Sequence, residues 1–160
     1  MLDSAKASDK FIVPSSHYPL ACSGTSKNCK NDQKDLQTYW QAMHDSKVSL
    51  YLGAHYHTYQ RIFPYLRDGT FSTQSKNYRS DDEYIISIVE GVAGNDKDIV
   101  ENIETIESFT ASYTINETGF GIMSVDDKTV TYTHYSTSRG ITDSISIARS
   151  VTNGYNLMRE

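Results

Sequence analysis

Apolar and polar positions divide the chain into two textures. In the first third, Phe11-Ile12-Val13 reads as a buried strand that ends at Pro14. Residues 15–30, with Pro19, Gly24 and many Ser and Asn, read as a long loop. From Asn31 to about Asp45 the period lengthens. Leu36, Tyr39, Trp40 and Met43 fall at i, i+3, i+4 and i+7, one face of a helix, with Asn31 and Asp32 as caps. Val48-Ser49-Leu50-Tyr51-Leu52 is the next strand, broken by Gly53. Strand, loop, helix and strand is the order of a parallel βαβ unit.

Beyond Pro64 alternation takes over. Arg67-Asp68-Gly69-Thr70 is a turn, and residues 72–83 form a polar loop. Tyr84-Ile85-Ile86-Ser87-Ile88-Val89 is a strong β run, and Gly91 and Gly94 punctuate the loop after it. Residues 97–108 are acidic and fit a loop or a short helix. Phe120–Val125 and Val130–Tyr135 predict a hairpin turned by Asp126-Asp127-Lys128. Ile141, Asp143, Ile145 and Ile147 alternate on one face of a further strand. The second half therefore predicts an antiparallel meander. No internal repeat, low-complexity tract or linker appears, and 160 residues make about one domain. The fold expected is α/β: a βαβ start followed by an antiparallel meander, half of a layered sandwich.

Composition narrows the class. A formal charge of −5 argues against a chain built to coat nucleic acid or an anionic membrane. No apolar run approaches the roughly 18–20 residues needed to span a bilayer. Hydrophobic residues at 38% and charged residues at 22% fit a globular chain, and 12 Tyr with abundant Ser and Thr favour strands and loops. The two cysteines, Cys22 and Cys29, flank a short loop and can close a small disulfide in an oxidising compartment; two free thiols are the alternative. Asn116-Glu117-Thr118 is a glycosylation sequon. Together they tilt the reading toward a secretory or lysosomal setting. Yet Met1 is followed by Leu-Asp-Ser-Ala-Lys-Ala-Ser-Asp-Lys, which has no apolar signal region. Either the chain is cytoplasmic, or its beginning is missing.

Candidate chemistry lies in the histidines. Three follow strands: His17 after Phe11–Pro14, and His55 and His57 after Val48–Leu52. If those strands are parallel, all three reach one sheet edge, where open α/β sheets place their ligands. Neutral imidazole suits Zn and Fe, and an H-x-H pair can reach neighbouring ions. Ordinary surface or core histidines are the plainer alternative. His44, near a helix end, and His134, inside a strand, read as structural. Arg61 can hold a phosphate, but a solvated arginine is the simpler reading.

Ser16-His17-Tyr18-Pro19-Leu20-Ala21-Cys22 resembles the H-x-P-L/M-Y-C-S segment of purple acid phosphatases, and Gly53-Ala54-His55-Tyr56-His57-Thr58-Tyr59-Gln60-Arg61 resembles their G/A-H-x-H-x-Y-E-R segment. Tyr84–Gly94 is similar to their V-x-I-x-x-G-x-A-G strand and loop, and Gly119-Phe120-Gly121 with its hairpin to their C-terminal F/Y-G-x segment. The likeness spans about residues 8–148. It implies a calcineurin-like metallophosphoesterase β-sandwich with a dinuclear centre of Fe(III) and Zn, Mn or Fe(II). By motif, His17 and His55 would bind the divalent ion and His57 the ferric ion.

The family's D-x-G, G-D-x-x-Y and G-N-H-E motifs, which supply the other ligands, occur nowhere in this sequence. The chain is therefore expected to be a partial metallophosphoesterase domain over residues 1–160, including the family's C-terminal segment at about 80–150. Its intact parent would be a secreted or lysosomal/vacuolar glycoprotein that hydrolyses phosphate monoesters. With no catalytic residue and three metal ligands of its own, the chain would hold at most one Zn-like ion. The missing N-terminal half would be its partner, and neither nucleic acid nor membrane is expected. The alternatives are a non-catalytic remnant acting as a binding module and a simple His-liganded zinc module.

Overall fold

The computed structural model describes residues 11–24, 34–73, 76–80, 84–94 and 105–149, with the side chains of residues 34–37 left aside. Among these residues one helix and nine strands form two sheets. They are α1 (Lys34–Asp45), β1 (Leu50–Gly53), β2 (Tyr59–Ile62), β3 (Tyr65–Leu66), β4 (Tyr78–Arg79), β5 (Tyr84–Glu90), β6 (Thr110–Thr114), β7 (Gly119–Val125), β8 (Thr129–Ser136) and β9 (Gly140–Ala148).

The first sheet runs β1-β5-β2-β6, with β3 attached to β5. β1 pairs parallel with β5, while β2 is antiparallel to both β5 and β6. β5 is buried along almost its whole length because both its faces are covered. Ile86 and Ile88 face the second sheet in a cluster with Leu50, Tyr59, Val130, Tyr132, Ile145 and Ile147. Ile85 packs on the other side with Trp40 and Met43 of α1, Leu20 and Tyr51. The layers are thus helix, sheet and sheet.

The second sheet runs β4-β9-β8-β7. Here β8 buries alternate residues, Val130, Tyr132, His134 and Ser136, and half-exposes the rest. One covered face gives period-two alternation.

Several sequence expectations are corrected. Phe11–Val13 forms no strand and is only half-buried; the pairing shifts past Pro14 to a single parallel bridge, Ser15 to Leu52. The Ser16 amide donates to the Leu52 carbonyl and the Leu52 amide to the Pro14 carbonyl, each at 3.1 Å. Proline lacks an amide hydrogen but keeps its acceptor, so the bonding runs beyond it. In the helix, Trp40 and Met43 are buried as expected, whereas Tyr39 is 61% exposed. The cap candidates Asn31 and Asp32 lie outside the described residues. Gly53 ends β1 from within rather than breaking it. The meander begins at Gly119, because Tyr84–Glu90 belongs to the first sheet, and β4 joins β9 in parallel. A bulge where Tyr135 meets Ile141 and His134 meets Asp143 turns Ile141 to solvent and leaves Asp143, Ile145 and Ile147 inside.

Candidate metal centre

β1 and the bridge at Ser15 deliver the chain to one sheet edge, and the loops that leave it carry the histidines. The His17 carbonyl accepts from the Ala54 amide at 3.1 Å, so the two loops are joined at the candidate residues. Close packing draws them in. A Cβ on Gly53 would stand 2.6 Å from Pro19 Cα, and one on Gly91 would collide with the Tyr56 carbonyl. Glycine at both places lets backbone meet backbone. Tyr56, between the two histidines, is buried with Cys22 and Val89.

His55 and His57 each sit at the apex of a three-residue turn. The Tyr56 amide donates to the Ala54 carbonyl around His55, and the Thr58 amide to the Tyr56 carbonyl around His57, both at 2.7 Å. His55 has φ +60°. Such a left-handed backbone costs a non-glycine residue on the order of 1–3 kcal/mol, and strain of this kind collects at functional sites.

The geometry brings His17 and His55 together. His17 Nε2 lies 2.8 Å from His55 Nδ1, with the rings edge-on at 4.8 Å, and Tyr18 closes over His55 at 4.5 Å. Burial, then the charges His17 and His57 would carry, lower the His55 pKa. The shift favours the neutral imidazole, the form that ligates metals. Two nitrogens on one tetrahedral zinc, each at roughly 2.0–2.1 Å, stand about 3.3 Å apart. The rings would need to part by about half an ångström, a movement open to His17, which is exposed. This pair fits a zinc-like ion as a partial donor set, the remaining positions falling to water or other donors. His57 is near enough to act electrostatically on His55, but among the described residues no group of three His, Cys, Asp or Glu converges as a metal cluster.

The other candidates divide. Cys22 is disulfide-bonded, and Cys29, its expected partner, lies outside the described residues. Asn116 is exposed in the turn between β6 and β7 at φ +56°. His134 is fully buried, stacked on Tyr59 at 3.9 Å and 3.0 Å from Glu90 Oε2, as a structural histidine would be. Arg61 is not solvated: it is 2% exposed and its Nε donates to Asp143 Oδ2 at 2.7 Å. Tyr59 Oη donates to the same oxygen at 2.7 Å. Burial alone would raise the Asp143 pKa, but the bonds and charge of Arg61, then the Tyr59 hydroxyl and the Ser144 amide, outweigh it and hold the carboxyl low. Burial, reinforced by Asp143, pushes Tyr59 well up, so it stays a donor.

Sequence reasoning missed β2 itself. Tyr59-Gln60-Arg61-Ile62 is buried at every position, yet its centre is polar, so neither alternation nor an apolar run marked it. The one signal was its place directly after the H-x-H.

No protein-family model matches the chain, and no curated protein matches it by sequence. Solved structures do. A purple acid phosphatase from yellow lupin (Lupinus luteus) seeds superposes with a TM-score of 0.71 at 19% identity, covering 93% of this chain and 27% of that one. GAP50, the anchor in the inner membrane complex of Plasmodium, superposes with a TM-score of 0.65 at 15% identity, covering 95% of this chain and 41% of that one. At such identities the likeness is one of fold. Among the described residues, the mixed α/β arrangement of two sheets and one helix matches the C-terminal part of a purple acid phosphatase fold. The chain spans less than half the length of either structure.

Proposed function

We propose that this chain is the C-terminal segment of a purple acid phosphatase-like metallohydrolase, and that His17, His55 and His57 are its contribution to a dinuclear metal site acting on phosphate monoesters. The observation that carries the reading is the approach of His17 Nε2 to His55 Nδ1 at 2.8 Å, made by two loops that meet at one sheet edge. Fe(III) with Zn, Mn or Fe(II), when bound, would supply a metal-activated hydroxide and neutralise charge on the phosphoryl group. His17 and His55 would hold the divalent ion and His57 the ferric one. The chain's own part is to present the imidazoles and keep their loops fixed through Gly53, Gly91 and Tyr56. The chain alone takes up at most one zinc-like ion and is a poor phosphatase, because three histidines leave most of two coordination shells to other donors. A disulfide at Cys22 and an exposed Asn116 sequon favour a secreted or lysosomal/vacuolar parent.

A second reading, a non-catalytic truncated remnant acting as a binding module, draws on one observation: the fold is shared with GAP50, the anchor in the inner membrane complex of Plasmodium. The two separate in the source cells. Native protein captured with an antibody to this segment is weighed, analysed for iron and zinc, and assayed with p-nitrophenyl phosphate at acid pH. A mass well above 18.0 kDa with bound metal and hydrolysis is the expected result. A mass near 18.0 kDa with no hydrolysis would establish the module.

A further inference from the structure

Gln60 makes contacts that the histidines do not explain. Its Oε1 accepts from the Ser23 amide at 2.6 Å, and its Nε2 donates to the Ser23 carbonyl at 3.0 Å. Nε2 also donates to Thr58 Oγ1 at 3.0 Å. All three residues are fully buried. A side-chain amide offers a donor and an acceptor side by side at every pH, matching one residue's N–H and C=O, as a carboxyl does only when protonated. Ser23 closes the loop that begins at His17, and Gln60 begins three residues beyond His57. The histidine loops are therefore tied twice: near His17, through its carbonyl and the Ala54 amide, and at the far end, through this amide. Ser23 Oγ makes its own bonds, accepting from the Glu107 amide at 2.8 Å and meeting Thr110 Oγ1 at 2.6 Å.

We propose that Gln60 is a positioning residue whose side-chain amide splints the Ser23 backbone to β2 and so sets where His17 stands relative to His55. Only the zinc readout below rests on the metal-site reading; the ring contact does not. Buried hydrogen-bonded pairs of this kind fix geometry because breaking one half strands the other in a low-dielectric interior.

The test uses the full, isotope-labelled chain and three variants. Gln60→Met keeps the volume and removes the amide. Gln60→Glu, read at a pH where its carboxyl is ionised, keeps the length and the acceptor for the Ser23 amide but loses the donor, and is the variant to read if Gln60→Met does not fold. Ser23→Ala removes the hydroxyl bonds of the same buried hub and leaves the amide pair intact. Two signals are followed: the nuclear Overhauser contact between the His17 and His55 rings, and affinity for zinc chloride. The expected result is that either Gln60 variant loses the ring contact and about 10–100-fold in zinc affinity, the usual effect of removing a group that orients a ligand. Amide protection in β7–β9 persists, and Ser23→Ala leaves both signals unchanged. Retention of the ring contact in the Gln60 variants would overturn the proposal, as would losses that simply track stability across all three. If the unaltered chain binds no zinc but the Gln60 variants lose the ring contact, the splint stands and the metal reading falls.

Discussion

The two sheets are built on different rules. In the second, β7, β8 and β9 follow one another through short turns and pair with their neighbours in sequence, and only β4 joins from a distance, along β9. In the first, β1 pairs with β5, and β2 lies between β5 and β6. Pairing close in sequence closes small loops and costs little chain entropy, whereas the first sheet must close long ones. The candidate histidines sit on the sheet with the long closures. The candidate site is therefore carried by the part of the fold that depends most on its surroundings, and the locally closed β7–β9 meander acts as its backing.

The strongest way to break this picture is to cut the link between the sheets. Arg61 on β2 and Asp143 on β9 form a buried ion pair across the layers. Asp143→Ala leaves the guanidinium without its carboxylate, and we expect a loss of about 3–5 kcal/mol in urea unfolding. Arg61→Met with Asp143→Leu should recover most of it, since a packed apolar pair replaces the ionic one without an uncompensated charge. Next in size is the contrast between interior and edge. Ile88→Ala, fully buried on β5, should cost about 2–5 kcal/mol. Ile122→Ala, 47% exposed on β7, should stay within about 0.5 kcal/mol.

These differences also explain what was legible. The hairpin of β7 and β8 could be read because one covered face leaves alternation in the sequence. The apolar run of Tyr84–Val89 marked β5 because both its faces are buried. Histidines following predicted strands marked the sheet edge where His17 and His55 meet. Phe11–Val13 was misread because local apolar character does not reveal that its pairing slides beyond Pro14. Gln60 goes unmarked and Arg61 reads as solvated because a buried polar residue looks like a surface residue until its partner is known, and their partners, Ser23 and Asp143, are distant in sequence. Ile141 was placed inside because a bulge adds one residue to the period without any mark in the sequence.

Acid sharpens the comparison further. The Asp143 pKa is depressed in the folded state. Its contribution is full above the ordinary carboxylate value of about 3.9 and is lost as pH falls through the lower folded value. Urea unfolding between pH 5 and pH 2 should therefore lose stability steeply, and Asp143→Asn should flatten that slope. The smallest effect is the most diagnostic for the site. His55→Gly removes the left-handed strain at φ +60° and should raise unfolding stability by about 1 kcal/mol while removing an imidazole from the site. A gain in stability paired with lost zinc binding would mark His55 as a residue kept for chemistry and not for folding.

In the proposed function, His17 and His55 face one another to share an ion. Calorimetric titration of the full chain with zinc chloride, repeated for His17→Ala and His55→Ala, tests it most directly. One weakly bound zinc per chain is expected, lost in either variant while the fold is retained. Binding that survives both substitutions, or no binding by the unaltered chain, would contradict it.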